Sequence, residues 1–285
     1  MKKVILVSLF LVLLFAGCVA NNGQNVSKQN KKYGEIEDCK IYPEDFRRFD
    51  CYKEKANEGD IVAQSWVAYY YNVGQIVPKN QAKATTWYLS AAKAGDVYSQ
   101  RELGLNYLQF KDYEEAFYWL EKAANSNDAI AQREMANLYD KGKSVKKDVN
   151  KAFEYYKKAA FQGDTLAENQ LAYYYQYGYG VEKDFNKAKY WYEKTMKKGD
   201  AYGLSQIAYL YANGYGVEKD YNKAYDLFLK AAQKGDKYSM SWLGYLYEKG
   251  FGIKKDLEKA KVWYIKAGDD YSKKRFYILE NKIKE

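Results

Sequence analysis

Small and apolar residues return along this chain at fixed offsets from a recurring aspartate. The aspartates are Asp60, Asp96, Asp128, Asp164, Asp200 and Asp236, at intervals of 36, 32, 36, 36 and 36 residues. The third residue past each is small: Ala63, Ser99, Ala131, Ala167, Gly203, Ser239. The seventh is apolar (Val67, Leu103, Met135, Leu171, Ile207, Leu243) and the eighth is Ala or Gly (Ala68, Gly104, Ala136, Ala172, Ala208, Gly244). The eleventh is always tyrosine: Tyr71, Tyr107, Tyr139, Tyr175, Tyr211, Tyr247. These offsets share one face of an α-helix, so each copy predicts a helix with that face inward and its eleventh-position tyrosine in the core.

A Gly-containing turn follows, as in Tyr177-Gly178-Tyr179-Gly180-Val181; the copy at Asp96 lacks it and is short by four residues. The Gly-x-Gly pairs follow a helix, not a strand, and lack the third glycine of a phosphate loop, so they read as turns. A second helix opens at Asn80, Asp148, Asp184, Asp220 or Asp256, side chains suited to the first free amides of a helix. It carries an alanine (Ala84, Ala116, Ala152, Ala188, Ala224, Ala260), then bulky pairs such as Trp87-Tyr88 and Trp191-Tyr192, then a small pair such as Ala91-Ala92. Small residues let helices approach and aromatics fill the space beside them. One such hairpin cannot bury its apolar face alone, so the copies must stack.

The predicted fold is therefore all-α, an α-solenoid wound as a right-handed superhelix from six helix-turn-helix repeats over 60–268 (60–95, 96–127, 128–163, 164–199, 200–235, 236–268). Residues 33–59 predict an N-terminal capping helix, with Phe46, Phe49 and Tyr52 inward. Residues 269–285 predict a C-terminal one, with Tyr271, Phe276, Ile278 and Leu279 inward.

Composition narrows the chemistry. Among 285 residues there is no histidine, while tyrosine appears 33 times. This removes the commonest general base, the commonest zinc ligand and every Ser-His or Cys-His nucleophile pair. The formal charge is +9, but most lysines recur at fixed repeat positions between acidic residues. They read as a solvated helix face, and no nucleic-acid partner is expected.

Met1-Lys2-Lys3 and the apolar run Val4 to Gly17 have the anatomy of a secretory signal, over residues 1–17. The run ends Leu14-Phe15-Ala16-Gly17-Cys18 and resembles the bacterial lipobox. That resemblance implies a diacylated Cys18 as the new N-terminus, followed by a polar tether to residue 32. Val19 stands where enterobacterial inner-membrane lipoproteins have aspartate. The expected location is thus the envelope, lipid-anchored to the outer membrane and facing the periplasm or the cell surface. Cys39 and Cys51 remain; in an oxidising compartment they form a disulfide, worth on the order of 3 kcal/mol, or else two packed thiols.

The residues quoted above resemble the Sel-1-like repeat, a relative of the tetratricopeptide repeat, with the pattern A-x-x-x-L-A/G-x-x-Y…G-x-G-V…D-x-x-K-A…W-Y-x-K-A-A-x-x-G. Residues 164–235 match it nearly in full. The resemblance implies adaptor or scaffold roles in bacterial envelopes. Some cysteine-rich relatives carry a β-lactamase or penicillin-binding label, but they place a disulfide in every repeat and this chain has no cysteine beyond Cys51. Ser90-Ala91-Ala92-Lys93 and Ser144-Val145-Lys146-Lys147 fit Ser-x-x-Lys, yet no Ser-Asp-Asn or Lys-Thr-Gly partner exists. No catalytic residue, cofactor or metal site is expected.

By analogy with tetratricopeptide repeats, positions two, five and nine past each Asp face the concave side. These candidates are Tyr69, Tyr98, Arg101, Arg133, Asn137, Asn169, Tyr173, Tyr202, Tyr209, Tyr238 and Tyr245. Tyr, Arg and Asn dominate binding hot spots, which points to a protein or peptide partner, or to a cell-wall glycan stacked on tyrosine rings. The alternative is that Tyr173, Tyr209 and Tyr245 stack on one another between repeats.

Overall fold

Every repeat begins with the same capping bond. The opening aspartate has an extended backbone, and its carboxylate accepts the amide three residues on: Asp60 from Ala63, Asp96 from Ser99, Asp128 from Ala131, Asp164 from Ala167, Asp200 from Gly203 and Asp236 from Ser239. Such caps typically contribute about 1 kcal/mol each. The computed structural model describes residues 36–282 other than Tyr42 and Glu44. Cys18, the signal at 1–17 and the tether to residue 32 lie outside the described residues.

Fifteen helices and no strand occur among the described residues, and the protein is an all-α solenoid. It divides into two compact units between Ser126 and Asn127. The first holds α1 (Glu37–Lys40), α2 (Phe46–Asn57), α3 (Ile61–Val73), α4 (Gln81–Lys93), α5 (Val97–Gln109) and α6 (Tyr113–Asn125). The second holds α7 (Ala129–Lys141), α8 (Val149–Phe161), α9 (Thr165–Tyr177), α10 (Phe185–Lys197), α11 (Ala201–Asn213), α12 (Tyr221–Gln233), α13 (Lys237–Lys249), α14 (Leu257–Ala267) and α15 (Asp270–Lys282). Within each unit every helix packs on its sequence neighbours. No helix among the described residues is long and apolar enough to cross a membrane.

Second helices are capped by Asn80, Asp148, Asp184, Asp220 and Asp256 as the sequence predicts, and in the short repeat by Asp112. The small third and eighth positions are sealed in the interior. How tightly is clearest at Gly203, where an added Cβ would lie 2.1 Å from Thr195 Oγ1. Thr195 stands where the other repeats have Ala91, Ala123, Ala159, Ala231 and Ala267. The larger side chain on α10 is matched by the absent one on α11.

The eleventh-position tyrosines are shallower than the sequence predicts. Tyr71 and Tyr139 are buried, but Tyr107, Tyr175, Tyr211 and Tyr247 are half-buried. The residue before goes deeper: Tyr70, Leu138, Tyr174, Leu210 and Leu246 are buried. Offset ten lies nearer than offset eleven to the direction set by three and seven on a helix. The tyrosine has another place in the repeat. Its carbonyl accepts the amide of the second helix's cap residue in all six copies, from Asn80 to Tyr71 through Asp256 to Tyr247. Its ring lies beneath the lysine three residues past that cap: Lys83, Lys151, Lys187, Lys223 and Lys259 sit 4.1–5.6 Å from the ring centroids. In the short repeat that position is Glu115, which instead accepts Trp119 Nε1.

The second glycine of each Gly-x-Gly turn reaches back to the preceding repeat. Gly180, Gly216 and Gly252 have φ of 62°, 64° and 69°, a region that disfavours side chains. An added Cβ would come within 2.6 Å of Val149 O, 2.8 Å of Phe185 Cβ and 2.5 Å of Tyr221 C. The aromatic between two of these glycine pairs completes the contact: Tyr215 stacks on Phe185 at 4.8 Å and Phe251 on Tyr221 at 4.7 Å.

The capping helices depart from expectation in detail. Cys39 is joined to Cys51, with a Cα–Cα distance of 5.7 Å, which fastens α1 to α2. Phe49 and Tyr52 are buried, but Phe46 is exposed because it is the first residue after the Asp45 cap, a turn away from the packed face. On α15, Leu279 is buried and Phe276 packs against it, whereas Tyr271 is exposed. Its place on the inward face is taken by Ser272, which is fully buried.

Candidate functional site

Aromatic side chains collect along one face of the second unit, from α9 to the start of α15. Tyr173 lies 4.6 Å from Tyr177 and 5.7 Å from Tyr179, ring centre to ring centre. Tyr209 lies 5.9 Å from Tyr215, 6.4 Å from Tyr238 and 5.8 Å from Trp242. Trp242 continues to Tyr245 at 5.5 Å, and Tyr245 to Phe251 at 5.9 Å. Tyr177, Tyr179, Tyr202, Tyr215 and Tyr238 are exposed to solvent. The result is a ribbon of rings carried by three successive first helices.

The part of the ribbon carried by α9 and α11 is nearly free of charge. Helix α11 carries no charged residue at all, and the charged side chain within α9, Glu168, is fully buried between Lys194 (2.9 Å) and Lys198 (2.6 Å). Burial raises the phenol pKa of Tyr173 and Tyr209 and pushes that of Tyr202 up to about 12. At neutral pH these groups are neutral hydroxyls that donate and accept hydrogen bonds beside apolar ring faces.

Of the residues expected on the concave face, Tyr173, Tyr202, Tyr209, Tyr238 and Tyr245 lie on this ribbon. The others have intramolecular partners. Tyr69 is buried, edge-on to Trp66 at 5.6 Å. Arg101 is buried, pairs with Glu102 at 2.7 Å and lies over the Tyr98 ring at 4.7 Å. Arg133 binds Glu134 and reaches Asp164 at 2.6 Å. Asn169, also buried, donates to Asp200 at 3.0 Å. Asn137 accepts Tyr156 OH at 2.6 Å. At Arg133 and Asn169 the fifth position thus ties one repeat to the cap of the next, as Ser65 does with Asp96 and Ser241 with Asp269. Tyr173, Tyr209 and Tyr245 do not stack on one another; each meets rings of its own turn or of Trp242.

The sequence reading missed Tyr177, Tyr179, Tyr215, Trp242 and Phe251. The positional analogy covers offsets two, five and nine, while Tyr179, Tyr215 and Phe251 stand between the glycines of the Gly-x-Gly turns and Tyr177 beside one, where recurrence of an aromatic between glycines is the available signal. Ser90 and Lys93 are exposed on α4. Among the described residues no group of three or more Cys, Asp or Glu side chains is placed to hold a metal ion.

Comparison with known proteins gives a consistent result. The Sel1 repeat model matches six times, over residues 61–96, 97–128, 129–164, 165–200, 201–236 and 237–270. A protective antigen of uropathogenic Escherichia coli with an SLR fold is similar at 32% identity and a TM-score of 0.72, over 82% of this chain and 51% of its own. The chain therefore spans about half the length of that antigen. A Sel1 repeat protein from Oxalobacter formigenes is similar at 34% identity and a TM-score of 0.66, over 73% of this chain and 85% of its own. No curated protein matches. With six repeats matched in register along most of its length, the chain belongs to the Sel1 repeat family.

Proposed function

We propose that this protein is a non-catalytic adaptor of the bacterial envelope that binds a segment of another protein along the aromatic ribbon of its fourth to sixth repeats. The observation that carries the reading is the run of exposed and half-buried rings from Tyr173 to Phe251, with little charge on α9 and none on α11, in a chain whose surface is otherwise dense in lysine and acidic residues. Contiguous exposed apolar surface of this kind marks interaction sites. Tyrosine and tryptophan supply contact area with few rotors to freeze. Sel1 repeat proteins are typically scaffolds for protein partners, which agrees with it. An envelope position, lipid-anchored through Cys18, rests on the leader. The Cys39–Cys51 disulfide and the antigen character of the E. coli relative are in keeping with it.

The test is capture of crosslinked partners from native envelopes by the wild-type chain and by a Tyr173→Ala/Tyr177→Ala/Tyr202→Ala variant with unchanged helical circular dichroism. Loss of the captured protein supports the ribbon; unaltered capture rejects it. Exposed tyrosine faces with their hydroxyls also suit a sugar chain. Sedimentation with purified cell wall, abolished by the same variant, would assign the ribbon to glycan instead.

A further inference from the structure

At the C-terminal end of the second unit, a cavity of about 510 Å³ opens between α13 and the start of α15. It is lined by Tyr238, Trp242, Tyr245 and Tyr271, with Ser241, Asp269 and Lys237. Its size falls within the range of small-molecule sites. The walls stand nearly at right angles: Trp242 meets Tyr245 at 83° and Tyr238 at 71°. Phe228 covers one face of Trp242 in a parallel stack at 5.3 Å, which leaves the other face for the cavity. Perpendicular aromatic walls of this kind present several electron-rich faces to one point, where a cation is attracted.

Two opposite charges stand in the same lining, and neither has an ion-pair partner within 4 Å among the described residues. Asp269 accepts Ser272 N–H at 2.9 Å, Ser272 Oγ at 2.9 Å and Ser241 Oγ. Burial raises its pKa, but these bonds outweigh burial and hold it below the usual carboxylate range. The carboxylate is therefore ionised, with three of its roughly four lone-pair sites already engaged. It offers negative charge but little further capacity to accept hydrogen bonds. A primary ammonium, which must replace its lost water with acceptors, is poorly served here. A quaternary ammonium has no N–H to satisfy and needs only charge and ring faces. Lys237, exposed at the cavity, supplies a cation for an anionic group on the same ligand.

We propose that this cavity binds a phosphocholine-type zwitterion, with the trimethylammonium among the rings of Tyr238, Trp242, Tyr245 and Tyr271 and the phosphate on Lys237. The site shares Tyr238, Trp242 and Tyr245 with the ribbon but is tested separately, because a small probe needs no protein partner. Calorimetric titration of the full chain with phosphocholine, choline, phosphoethanolamine and inorganic phosphate reads the two halves of the ligand separately. Phosphocholine is expected to bind at least tenfold more tightly than phosphoethanolamine. Tyr271→Ala, at an exposed ring, is expected to weaken it at least tenfold while circular dichroism is unchanged. Lys237→Gln is expected to reduce phosphocholine to the affinity of choline and leave choline unaffected. Equal binding of phosphocholine and phosphoethanolamine, no binding of either, or full binding by both Tyr271→Ala and Tyr238→Ala overturns the proposal. Co-sedimentation of the Cys18→Ser chain with phosphatidylcholine vesicles, released by soluble phosphocholine, would support the site with a lipid head as source. Binding of soluble phosphocholine alone would support it with a free or polymer-borne group.

Discussion

Thr195 and Gly203 show how little room the helix seams leave. Their separation is set by two backbones, so a methyl group on Gly203 must displace α10 or the threonine. Gly203→Ala is expected to destabilise the second unit by about 1–3 kcal/mol, as overpacking does. Thr195→Ala should recover only part of that, because Met196 N and Tyr192 O would still lie 2.8 and 3.0 Å from the added Cβ and the hydroxyl's bond to Tyr192 O is given up. A double-mutant cycle in urea measures the coupling, and additive single effects would show that the two sites do not share space. Glu248 is a second residue-scale case. Its side chain is nearly inaccessible and accepts from Tyr264 OH and Arg275. Burial raises its pKa, but the bonds from Arg275 and Tyr264 outweigh burial and lower it below the ordinary glutamate value. A depressed carboxylate pKa stabilises the fold above the unfolded pKa and loses that contribution as pH falls through the folded one. Stability of the second unit should therefore drop below about pH 4, the ordinary glutamate range, and Glu248→Gln should flatten that limb of the profile.

At the scale of the element, the Gly-x-Gly turn is the device that sets one repeat on the last. Gly252 and Gly235 both have positive φ, 69° and 91°, but only Gly252 faces backbone atoms of the preceding repeat. Gly235→Ala should lose only the left-handed strain, about 1–2 kcal/mol. Gly252→Ala should lose more, because Tyr221 and Asn222 must also move. Chemical denaturation of the two variants compares them directly, and equal midpoints would remove the seating role. The same turn explains the family's D-x-x-K pattern: the aspartate caps the second helix and its lysine covers the tyrosine of the first.

On the scale of the whole molecule, the two compact units differ in what holds them. The first carries the Cys39–Cys51 disulfide, closing a loop with a sequence separation of 12, while the second has no cysteine. Reduction should destabilise the first unit by about 3 kcal/mol and leave the second unchanged. Hydrogen exchange with and without reductant reads both at once. Protection lost equally in α9–α13 would contradict this independence.

The order of helices, their caps and the sealed small positions follow from sequence alone, because each repeat states them again and a 36-residue period with Asp, Ala and Tyr at fixed places leaves few alternatives. Depth within a helix did not follow, since offsets ten and eleven straddle the buried direction and only packing against the next helix chooses between them. Nor did the fates of Arg101, Arg133 and Asn169, whose partners lie on their own or the next repeat and whose chemistry suits a binding face equally well. The cavity beside Trp242 was least legible of all. Its walls come from two helices about thirty residues apart, and local spacing carries no record of which side chains a fold brings to one point.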